Sequence, residues 1–566
     1  MNMQLGGFLS RALSKKELKL LVTFFIIYAF FVQWYGWNEE SRFALTRAMV
    51  DEGRLQIDSY YNQTGDRATY NGHYYSDKEP GASFLSVPVY AAWKLFYSIF
   101  SNSFGGSREV VTQVINGVRI ASIVNPGFFV LTAMLLIAFF ISPLLSAFTV
   151  LLVYKISRYF TANESYRLLL AAVYGLGTLA FPNALLFMGQ SPAAFFGFIA
   201  FYLLFKIKND YSAKDKEKNK NLVLVVAGIL MGLSIITEYS TLLIGLVLIY
   251  YSFFADRKKY PLFIVGLVIG LLPLLAYNYA IFGTPFELTR AHVDHSLYPL
   301  AYTVNNSVNP ATSTRTDQIN LLGPLEGIIR YLQFEPRVDP YVLLRMMFYP
   351  YRGIFFYYPI LLLSVIGLYY MYKKFKIESI VIAAVFVLFM LALSSRVNWW
   401  GNYSFGNRHL MPIMPFFVLP MIFVFDKIDK KILALLVVFC ITINFIGLQP
   451  AEDIVTDPKT LQMKEEYASK QDTFEILYNP ISSYYLPLTL QYGPRSRIFE
   501  SLINGYTDID IRVNPISKGA NFPFTAFHVP FLCLLPLVVL IAVVWWGSLF
   551  NYLKALGKIR IGVRRK

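Results

Sequence analysis

Residues 38–81 read NEESRFALTRAMVDEGRLQIDSYYNQTGDRATYNGHYYSDKEPG and directly follow the first strongly apolar segment, Leu20 to Trp37. This stretch carries eight of the 35 acidic residues of a chain that is otherwise basic and apolar. Because a carboxylate loses hydration energy beside a bilayer, such a concentration of acidic side chains calls for a functional explanation. We therefore interpret residues 38–81 as the stretch around which the fold is organised.

The overall composition is typical of a polytopic membrane protein. Of the 566 residues, 56% are hydrophobic, 17% are aromatic and only 15% are charged, which excludes an ordinary soluble globular protein. The net charge of +16 does not indicate nucleic-acid binding, because Lys and Arg form short clusters between apolar runs. The only two cysteines, Cys440 and Cys533, lie in apolar segments, so neither a disulfide framework nor a thiolate metal site is predicted.

Apolar runs of about 17 to 25 residues match a hydrocarbon core about 30 Å thick. We predict an all-α protein with about 13 or 14 transmembrane helices, since the runs on either side of Ser142-Pro143 also fit one long kinked helix. No signal-peptide cleavage site precedes Asn38, so the first run is expected to stay as a helix. The predicted spans are residues 20–37, 83–100, 114–136, 139–157, 167–186, 192–207, 222–236, 240–255, 261–283, 353–372, 378–395, 409–425, 432–449 and 526–550.

The basic clusters orient these spans. All of them fall on one side if the N-terminus is cytoplasmic, as the excess of basic residues in cytoplasmic loops requires. The clusters are Arg11 to Lys19, Lys206 to Lys220, Arg257 to Lys259, Lys373 to Lys376, Lys427 to Lys431 and Lys558 to Lys566. We expect a multi-pass protein of the cell membrane whose polar and acidic segments converge on the external face.

Three parts follow from this topology. Residues 1–450 are predicted to be the transmembrane core, with a first external loop at 38–81 and a long external loop at 284–341. Residues 451–525 are polar and long enough for a small external cap, with a short helix predicted at KEEYASKQD. Residues 526–566 hold the last span and a basic cytoplasmic tail.

The first half of the external loop predicts a short helix. Asn38 is suited to cap it, and Glu39 and Glu40 in its first turn complement the helix dipole. Apolar and polar residues of SRFALTRAMVDE alternate at helical spacing, which favours an amphipathic helix in the membrane interface. A partly dehydrated carboxylate there suits a general base, and the alternative is a capped helix without a catalytic role.

The second half of the loop predicts a β-hairpin. Asn71-Gly72 is flanked by aromatic residues, a strong signal for a two-residue turn. The hairpin would deliver Asp77 and Lys78 to the start of the second span. Lys78 there can bind a phosphate, or it can be an interfacial lysine whose stem lies along apolar surface.

The two halves together resemble a known pair of motifs. Residues 39–44 and 71–80 are similar to the Asp-Glu-x-Arg-Tyr-Ala and Asp-Lys-Pro-Pro motifs of the GT-C glycosyltransferases. Within that superfamily the chain most resembles the branch of protein O-mannosyltransferases and lipid A aminoarabinose transferases. The resemblance implies a GT-C fold, a polyprenyl- or dolichyl-phosphate sugar donor, and a catalytic carboxylate in the first external loop.

The resemblance also assigns roles by position. Glu39 and Glu40 take the place of the family's acidic pair, and Lys78 takes the place of the lysine that approaches the donor phosphate. Because Glu39 replaces an Asp, which glutamate is the base stays open, and Glu79 replaces a Pro. Further candidates for sugar or acceptor binding in this loop are Arg42, Tyr75 and Asp77.

Later segments resemble the same group. Residues 348–359 are similar to a "PxRGLFxYxP" element and residues 399–408 to "WWGGxSFGxR", and Tyr277-Asn278 with Phe282 to Pro285 fits a helix-exit element. Gln190 stands where a His is expected. The resemblance covers residues 20 to 425 and not the segment after 450.

Residue chemistry gives these segments a second interpretation. Arg352 and Arg408 stand at the outer ends of apolar spans, where a guanidinium binds either a phosphate or a loop carboxylate. Trp399 and Trp400 suit stacking on a sugar ring or anchoring in the interface. Glu238, at an external turn, is a candidate for orienting a neighbour.

No metal site is predicted. His292 and His295 lie in the long loop with Asp294 between them, but a zinc site lacks a third identifiable ligand. The resemblance implies that no cofactor is required, although two neighbouring carboxylates are compatible with a divalent cation.

The sequence therefore predicts a membrane glycosyltransferase that moves a sugar from a prenyl-phosphate carrier to a lipid, glycan or protein acceptor on the external face. Transfer would invert the anomeric centre, with Glu39 or Glu40 as base and Lys78, Arg352 and Arg408 at the donor phosphate. A transporter or lipid flippase, and a noncatalytic assembly factor for envelope glycans, are the alternatives. A transporter would carry its charges near the bilayer midplane instead.

Overall fold

The computed structural model describes residues 13–34, 36–100, 109–115, 118–125, 128–210, 217–294, 340–395, 399–401, 404–448, 479–494 and 530–546. The predicted short helix at KEEYASKQD, His295 and most of the segments 284–341 and 451–525 lie outside these residues. The basic tail lies outside them as well.

The described part of the chain is mainly helical, as predicted. Its α-helices are α1 Lys15–Phe30, α2 Trp37–Arg47, α3 Gly81–Phe100, α4 Phe128–Ile156, α5 Glu164–Leu176, α6 Ala180–Ala184, α7 Gln190–Asp210, α8 Glu217–Thr237, α9 Leu242–Ala255, α10 Pro261–Phe282, α11 Pro340–Phe348, α12 Ile354–Tyr357, α13 Leu362–Tyr372, α14 Lys376–Ser394, α15 Met414–Phe417, α16 Lys430–Ile446, α17 Leu486–Tyr492 and α18 Leu535–Trp546. Two antiparallel hairpins join β1 Arg67–Tyr70 to β2 His73–Ser76 and β3 Glu109–Ile115 to β4 Val118–Asn125.

Among the described residues, five helices are long and apolar enough to cross a membrane, namely α4, α7, α8, α10 and α14. Shorter apolar helices cover Tyr239–Ala255, Pro359–Tyr372, Arg408–Phe423 and Leu535–Trp546. Proline accounts for part of this shortening, because it removes a backbone donor inside a helix. The predicted span 409–425, for example, is divided into 3₁₀ and α segments that contain Pro412, Pro415 and Pro420.

One predicted pair of spans differs from the structure. Residues 128–156 form the single helix α4 with Pro143 inside it, so the alternative of one long helix across Ser142-Pro143 is confirmed and the pair of spans at 114–136 and 139–157 is wrong. Residues 114–125 belong to the hairpin of β3 and β4 instead. Their sequence is rich in Val and Ile, which favour strands. Because both residues are also apolar, the same segment has the composition of a membrane span.

A large core of aromatic side chains joins the first and last helices of the described chain. Phe31 packs edge-on against Phe181 and Phe445, with ring centroids 6.0 and 5.8 Å away. The Trp545 indole nitrogen donates a hydrogen bond to Thr23 Oγ1 at 2.8 Å. Helices α1, α6, α16 and α18 are thereby held in one body.

Helices α8 and α10 approach each other through glycine. A Cβ on Gly228 would lie 2.0 Å from the Phe263 carbonyl oxygen, and a Cβ on Gly266 would lie 2.1 Å from the Val225 carbonyl oxygen. Gly228 and Gly232 on α8, like Gly266 and Gly270 on α10, follow the small-xxx-small spacing that lets membrane helices pack closely. This packing fixes the end of α8, at Thr237, that leads into Glu238.

Candidate active site

Helix α2 presents the two acidic residues of the first loop. It begins at Trp37 after Gly36, whose φ of 146° favours glycine. The predicted cap by Asn38 is wrong, since Gly36 is the N-cap and Asn38 Oδ1 instead accepts a hydrogen bond from Arg42 Nε at 3.2 Å. Glu39 and Glu40 occupy the first turn, as predicted.

The helix is enclosed by protein. All residues from Glu39 to Thr46 are buried, and the Phe43 ring packs edge-on against Tyr90 of α3 at 5.8 Å. Thr46 Oγ1 donates to the Ser83 carbonyl at 3.3 Å, and Ser83 Oγ donates back to the Arg42 carbonyl at 2.9 Å. Thr46, on the polar side of the predicted amphipathic helix, therefore packs against α3.

The two glutamates have different surroundings. The Trp34 indole nitrogen donates to Glu40 Oε1 at 2.8 Å, and the Trp34 ring stacks on Phe187 at 5.6 Å. The Glu40 carboxylate is thus directed toward an aromatic cluster. Glu39 is 1% exposed and lies close enough to Arg408 to act on its charge. Glu39 is thus linked to Arg408 through electrostatics.

The predicted hairpin is present. Asn71 and Gly72 form its turn with φ of 48° and 79°, the left-handed conformation that a two-residue hairpin turn requires. Ser76 at the end of β2 shares a hydrogen bond of 2.8 Å with Ser41 on α2. This contact ties the hairpin to the helix and places Asp77 and Lys78 beside α2.

Lys78 lies between two carboxylates. Its Nζ is 2.9 Å from Asp66 Oδ2 and 3.1 Å from Asp77 Oδ2. Burial opposes the charge on Lys78, but the two aspartates outweigh it and raise the lysine pKa. Burial raises the pKa of Asp77 to about 6, and Asp77 Oδ1 is buried without a hydrogen-bond partner. The ammonium is therefore already compensated within the protein.

Glu79 joins two arginines from distant parts of the chain. Its Oε2 accepts from Arg42 at 3.1 Å, and its Oε1 accepts from Arg290 at 3.2 Å. Arg42 also donates to the Glu79 backbone carbonyl at 2.7 Å. Burial acts to raise the pKa of Glu79, but Arg42 and Arg290 together lower it below the usual value.

Gln190 and Glu238 form a second buried pair. Gln190 Nε2 donates to Glu238 Oε2 at 2.8 Å, and Ser240 Oγ donates to Glu238 Oε1 at 3.2 Å. Both residues are 4% exposed. Gln190 Oε1 is buried without a partner.

Arg408 is a buried cation that contacts Met188, two residues before Gln190. It is 7% exposed, and no described carboxylate lies within ion-pair distance of its guanidinium. Its contact is a donation from one terminal nitrogen to Met188 Sδ at 3.0 Å, while its Nε has no partner. Glu238, Asp66 and Glu39 act on Arg408 through longer-range electrostatics.

Two glycines bring these elements to one place. A Cβ on Gly81, the first residue of α3, would lie 2.5 Å from Thr237 Oγ1. A Cβ on Gly189, just before α7, would lie 2.2 Å from the Thr237 carbonyl oxygen and 3.5 Å from Arg42. The starts of α3 and α7 therefore meet the end of α8, which explains how Arg42, Gln190 and Glu238 become neighbours.

The remaining candidates have structural contacts. Arg352, with φ of 65°, donates to the Trp400 carbonyl at 3.1 Å, and Asn407 donates to the Trp399 carbonyl at 2.7 Å. These bonds hold the loop that carries both tryptophans. Tyr75 on β2 is 4% exposed, and burial raises its pKa.

An apolar cavity of about 560 Å³ adjoins the cluster. Gly81 and Thr237, which meet at the junction described above, belong to its wall. The other lining residues come mostly from α3, α7, α8 and α10, and they are Leu55, Phe84, Leu85, Phe196, Leu233, Ile236, Pro273, Ala276 and Tyr277.

Within the described residues, no group of three or more His, Cys, Asp or Glu side chains is arranged to hold a metal ion. His292 pairs with Glu287 at 2.7 Å and stacks on Phe282 with ring centroids 5.1 Å apart. Both contacts of His292 are with protein side chains of neighbouring segments.

Sequence reasoning missed Asp66, Glu79 and Arg290 as members of the cluster. Arg290 lies in a short 3₁₀ helix, Thr289–His292, and reaches Glu79 across 211 positions of sequence. No pattern among neighbouring residues of the sequence predicts a contact between positions so far apart. Asp66 precedes β1, and only the hairpin register, which pairs Arg67 with Ser76, brings it near Lys78.

No protein-family profile and no curated protein matches the chain. Its fold is similar to that of the oligosaccharyltransferase AglB from Archaeoglobus fulgidus, solved with an inhibitory peptide and a dolichol-phosphate: TM-score 0.47, 13% identity, over 83% of this chain and 60% of AglB. It is also similar to ArnT from Cupriavidus metallidurans bound to undecaprenyl phosphate: TM-score 0.42, 13% identity, over 92% of this chain and 76% of ArnT. The chain thus spans less than two thirds of the length of AglB.

Proposed function

We propose that this protein is an integral-membrane glycosyltransferase that transfers a sugar from a prenyl-phosphate carrier to an acceptor hydroxyl. The observation that carries the proposal is that a buried carboxylate, Glu39, acts electrostatically on the buried guanidinium of Arg408 without forming an ion pair with it. A glycosyl transfer needs a group that takes a proton and a cation that receives a leaving phosphate. Both lie in one charged cluster beside an apolar cavity.

Arg408 is the principal phosphate ligand in this proposal. Its guanidinium has no carboxylate within ion-pair distance among the described residues, whereas Lys78 is shared by Asp66 and Asp77. A planar guanidinium can bind two phosphate oxygens at once. Lys78 then contributes positive charge from the edge of the site.

Glu39 is the general base in this proposal. The acceptor hydroxyl would lose its proton to Glu39 while its oxygen attacks the anomeric carbon. The bond from that carbon to the phosphate oxygen would break, and its electron pair would leave with the phosphate toward Arg408. A single displacement of this kind inverts the anomeric centre.

The prenyl chain of the donor would lie in the apolar cavity. The cavity is lined almost entirely by apolar side chains and begins at Gly81, two residues after the Glu79 ion pairs. A lipid whose phosphate meets Arg408 and whose tail enters the cavity would satisfy both the charged and the apolar surface.

The test is sugar transfer by the purified protein in lipid nanodiscs, with radiolabelled prenyl-phosphate hexoses and a membrane extract as acceptor. Glu39→Gln should lower transfer about 100-fold or more, because the carboxamide cannot accept the proton. Glu40→Gln should lower transfer much less, since the Trp34 donation to that side chain can persist.

The exposed Glu164→Gln variant serves as the control for expression and folding. Equal loss in the Glu39 and Glu40 variants would contradict the choice of base. Movement of the labelled donor across the membrane without transfer would support a flippase instead. Binding of an acceptor without turnover would support an assembly factor.

A further inference from the structure

Two buried polar atoms beside the proposed phosphate site lack hydrogen-bond partners. One is an acceptor, Gln190 Oε1, and the other is a donor, Arg408 Nε. Their side chains are 4% and 7% exposed, so both atoms are more than nine-tenths removed from solvent. An unpaired polar group in such a place is unfavourable, and a ligand that forms a hydrogen bond with it removes that penalty.

The orientation of the Gln190 amide is fixed by its neighbour. Its Nε2 donates to Glu238 Oε2 at 2.8 Å, and a carboxylate can only accept there. Gln190 Oε1 is therefore the atom left for a ligand, and it can only accept. Ser240 Oγ in turn donates to the other Glu238 oxygen at 3.2 Å, which holds the carboxylate in place.

Arg408 contacts the segment of chain that leads into Gln190. It donates to Met188 Sδ at 3.0 Å, and Met188 precedes Gln190 by two residues. Among the charged groups that act electrostatically on Arg408, Glu238 has the largest effect. The unpaired donor thus belongs to a residue that contacts Met188, and the unpaired acceptor belongs to Gln190, two residues further along the chain.

We infer that Gln190 and Arg408 Nε form a subsite for a hydroxyl group of the transferred sugar, in the glycosyltransferase proposed above. A hydroxyl can donate to Gln190 Oε1 and accept from Arg408 Nε at the same time. A protonated amino group can donate but has no lone pair to accept, and it would add a cation beside the guanidinium. The subsite therefore selects a neutral sugar over a protonated amino sugar.

The test compares the parent protein with Gln190→Leu, which keeps a similar volume without the acceptor. Both are assayed in nanodiscs with prenyl-phosphate hexoses and with the matching series of monodeoxy hexose donors. With the full hexose, Gln190→Leu should lower kcat/KM about tenfold or more, because a site built to bind a hydroxyl discriminates strongly against its loss. With the one donor that lacks this hydroxyl, the parent and the variant should differ less than about twofold.

A donor that carries an amino group at that position should be a poor substrate of the parent near neutral pH. Binding of prenyl phosphate without a sugar, measured by displacement of a labelled carrier, should be equal in parent and variant. Asn209→Leu is the matched control, an amide on the same helix about 28 Å from Gln190. It should leave the response to every donor unchanged.

The outcomes separate this inference from the function on which it rests. An equal effect of Gln190→Leu on every monodeoxy donor, or loss of binding of the sugar-free carrier, would overturn the subsite and leave the glycosyltransferase standing. If the parent neither binds nor turns over any donor, the proposed function and the subsite fall together.

Discussion

Glu79 is the residue on which the charged cluster depends most directly. It is 5% exposed and accepts hydrogen bonds from Arg42 and Arg290, and Arg42 itself is 1% exposed. A buried guanidinium that loses its only carboxylate remains as an uncompensated charge in a poorly solvated place. The family motif that this loop resembles has a proline at this position, and a proline has no carboxylate to pair with Arg42 or Arg290.

Glu79→Gln should destabilise the folded protein by about 3–5 kcal/mol, the usual effect of removing one partner of a buried ion pair. The carboxamide keeps the shape of the side chain, so the loss reports the charge. Thermal unfolding of the purified protein in detergent, followed by tryptophan fluorescence, measures the change.

The control is Glu164→Gln, which removes the acidic partner of Lys16 in a pair whose side chains are 41% and 48% exposed. Exposed pairs contribute about 0–1 kcal/mol, so this variant should unfold close to the parent. If the two variants shifted the transition equally, Glu79 would not be the buried counter-ion described above.

At the level of elements, the close packing of α8 on α10 decides where Glu238 lies. Gly228→Ala would place a Cβ 2.0 Å from the Phe263 carbonyl oxygen, a backbone atom that cannot move without moving α10. We expect this single methyl group to destabilise the protein by about 1–3 kcal/mol. Transfer activity should fall with it, because α8 ends at Thr237, one residue before Glu238.

Gly245→Ala on α9 makes the same chemical change at a position where the added methyl group would contact only side-chain atoms at ordinary distances. The nearest atom to its added Cβ is the tip of Ile235, at an ordinary contact distance of 3.4 Å. Alanine favours a helix over glycine by up to about 1 kcal/mol, so this variant should match or exceed the parent in thermal stability. A loss as large as that of Gly228→Ala would mean that helix glycines matter here for another reason than close packing.

For the molecule as a whole, sequence reasoning succeeded where the signal was local. The turn at Asn71-Gly72 needs a left-handed conformation that few residues adopt, so these two residues are enough to predict the hairpin. The acidic first turn of α2 follows from Glu39 and Glu40 in the same way. The division of residues 353–372 into α12, a 3₁₀ turn and α13 was not predicted, because an apolar run does not reveal where its backbone breaks.

Contacts between distant segments could not be predicted from the sequence. Arg290 reaches Glu79 and Gln190 reaches Glu238 only because the starts of α3 and α7 converge on Thr237. That convergence depends on glycines whose purpose is visible only once the helices are packed. The prediction of a membrane span over residues 114–125 was wrong because Val and Ile are common both in strands and in membrane spans.

Orientation in the membrane is also a property of the whole molecule, and it follows from charge. We propose that the basic clusters, such as Arg257 to Lys259 between α9 and α10, lie on the cytoplasmic side, so residues 38–81 should be external. Residues for labelling exist on both sides. The Arg54 side chain in the first loop is 60% exposed, and Lys258 is exposed in the other loop.

In a variant that lacks Cys440 and Cys533, a single cysteine at Arg54 should react with a membrane-impermeant maleimide in intact cells. A single cysteine at Lys258 should react only after the membrane is permeabilised. Mass shift after labelling measures both, and a permeant maleimide controls for accessibility in folded protein. Reaction of Lys258→Cys in intact cells would reverse the topology and place Glu39 on the cytoplasmic side. Glu39 and Arg54 belong to the same loop and therefore lie on the same side of the membrane. The side on which the Arg54→Cys variant reacts is thus also the side on which an acceptor must be supplied.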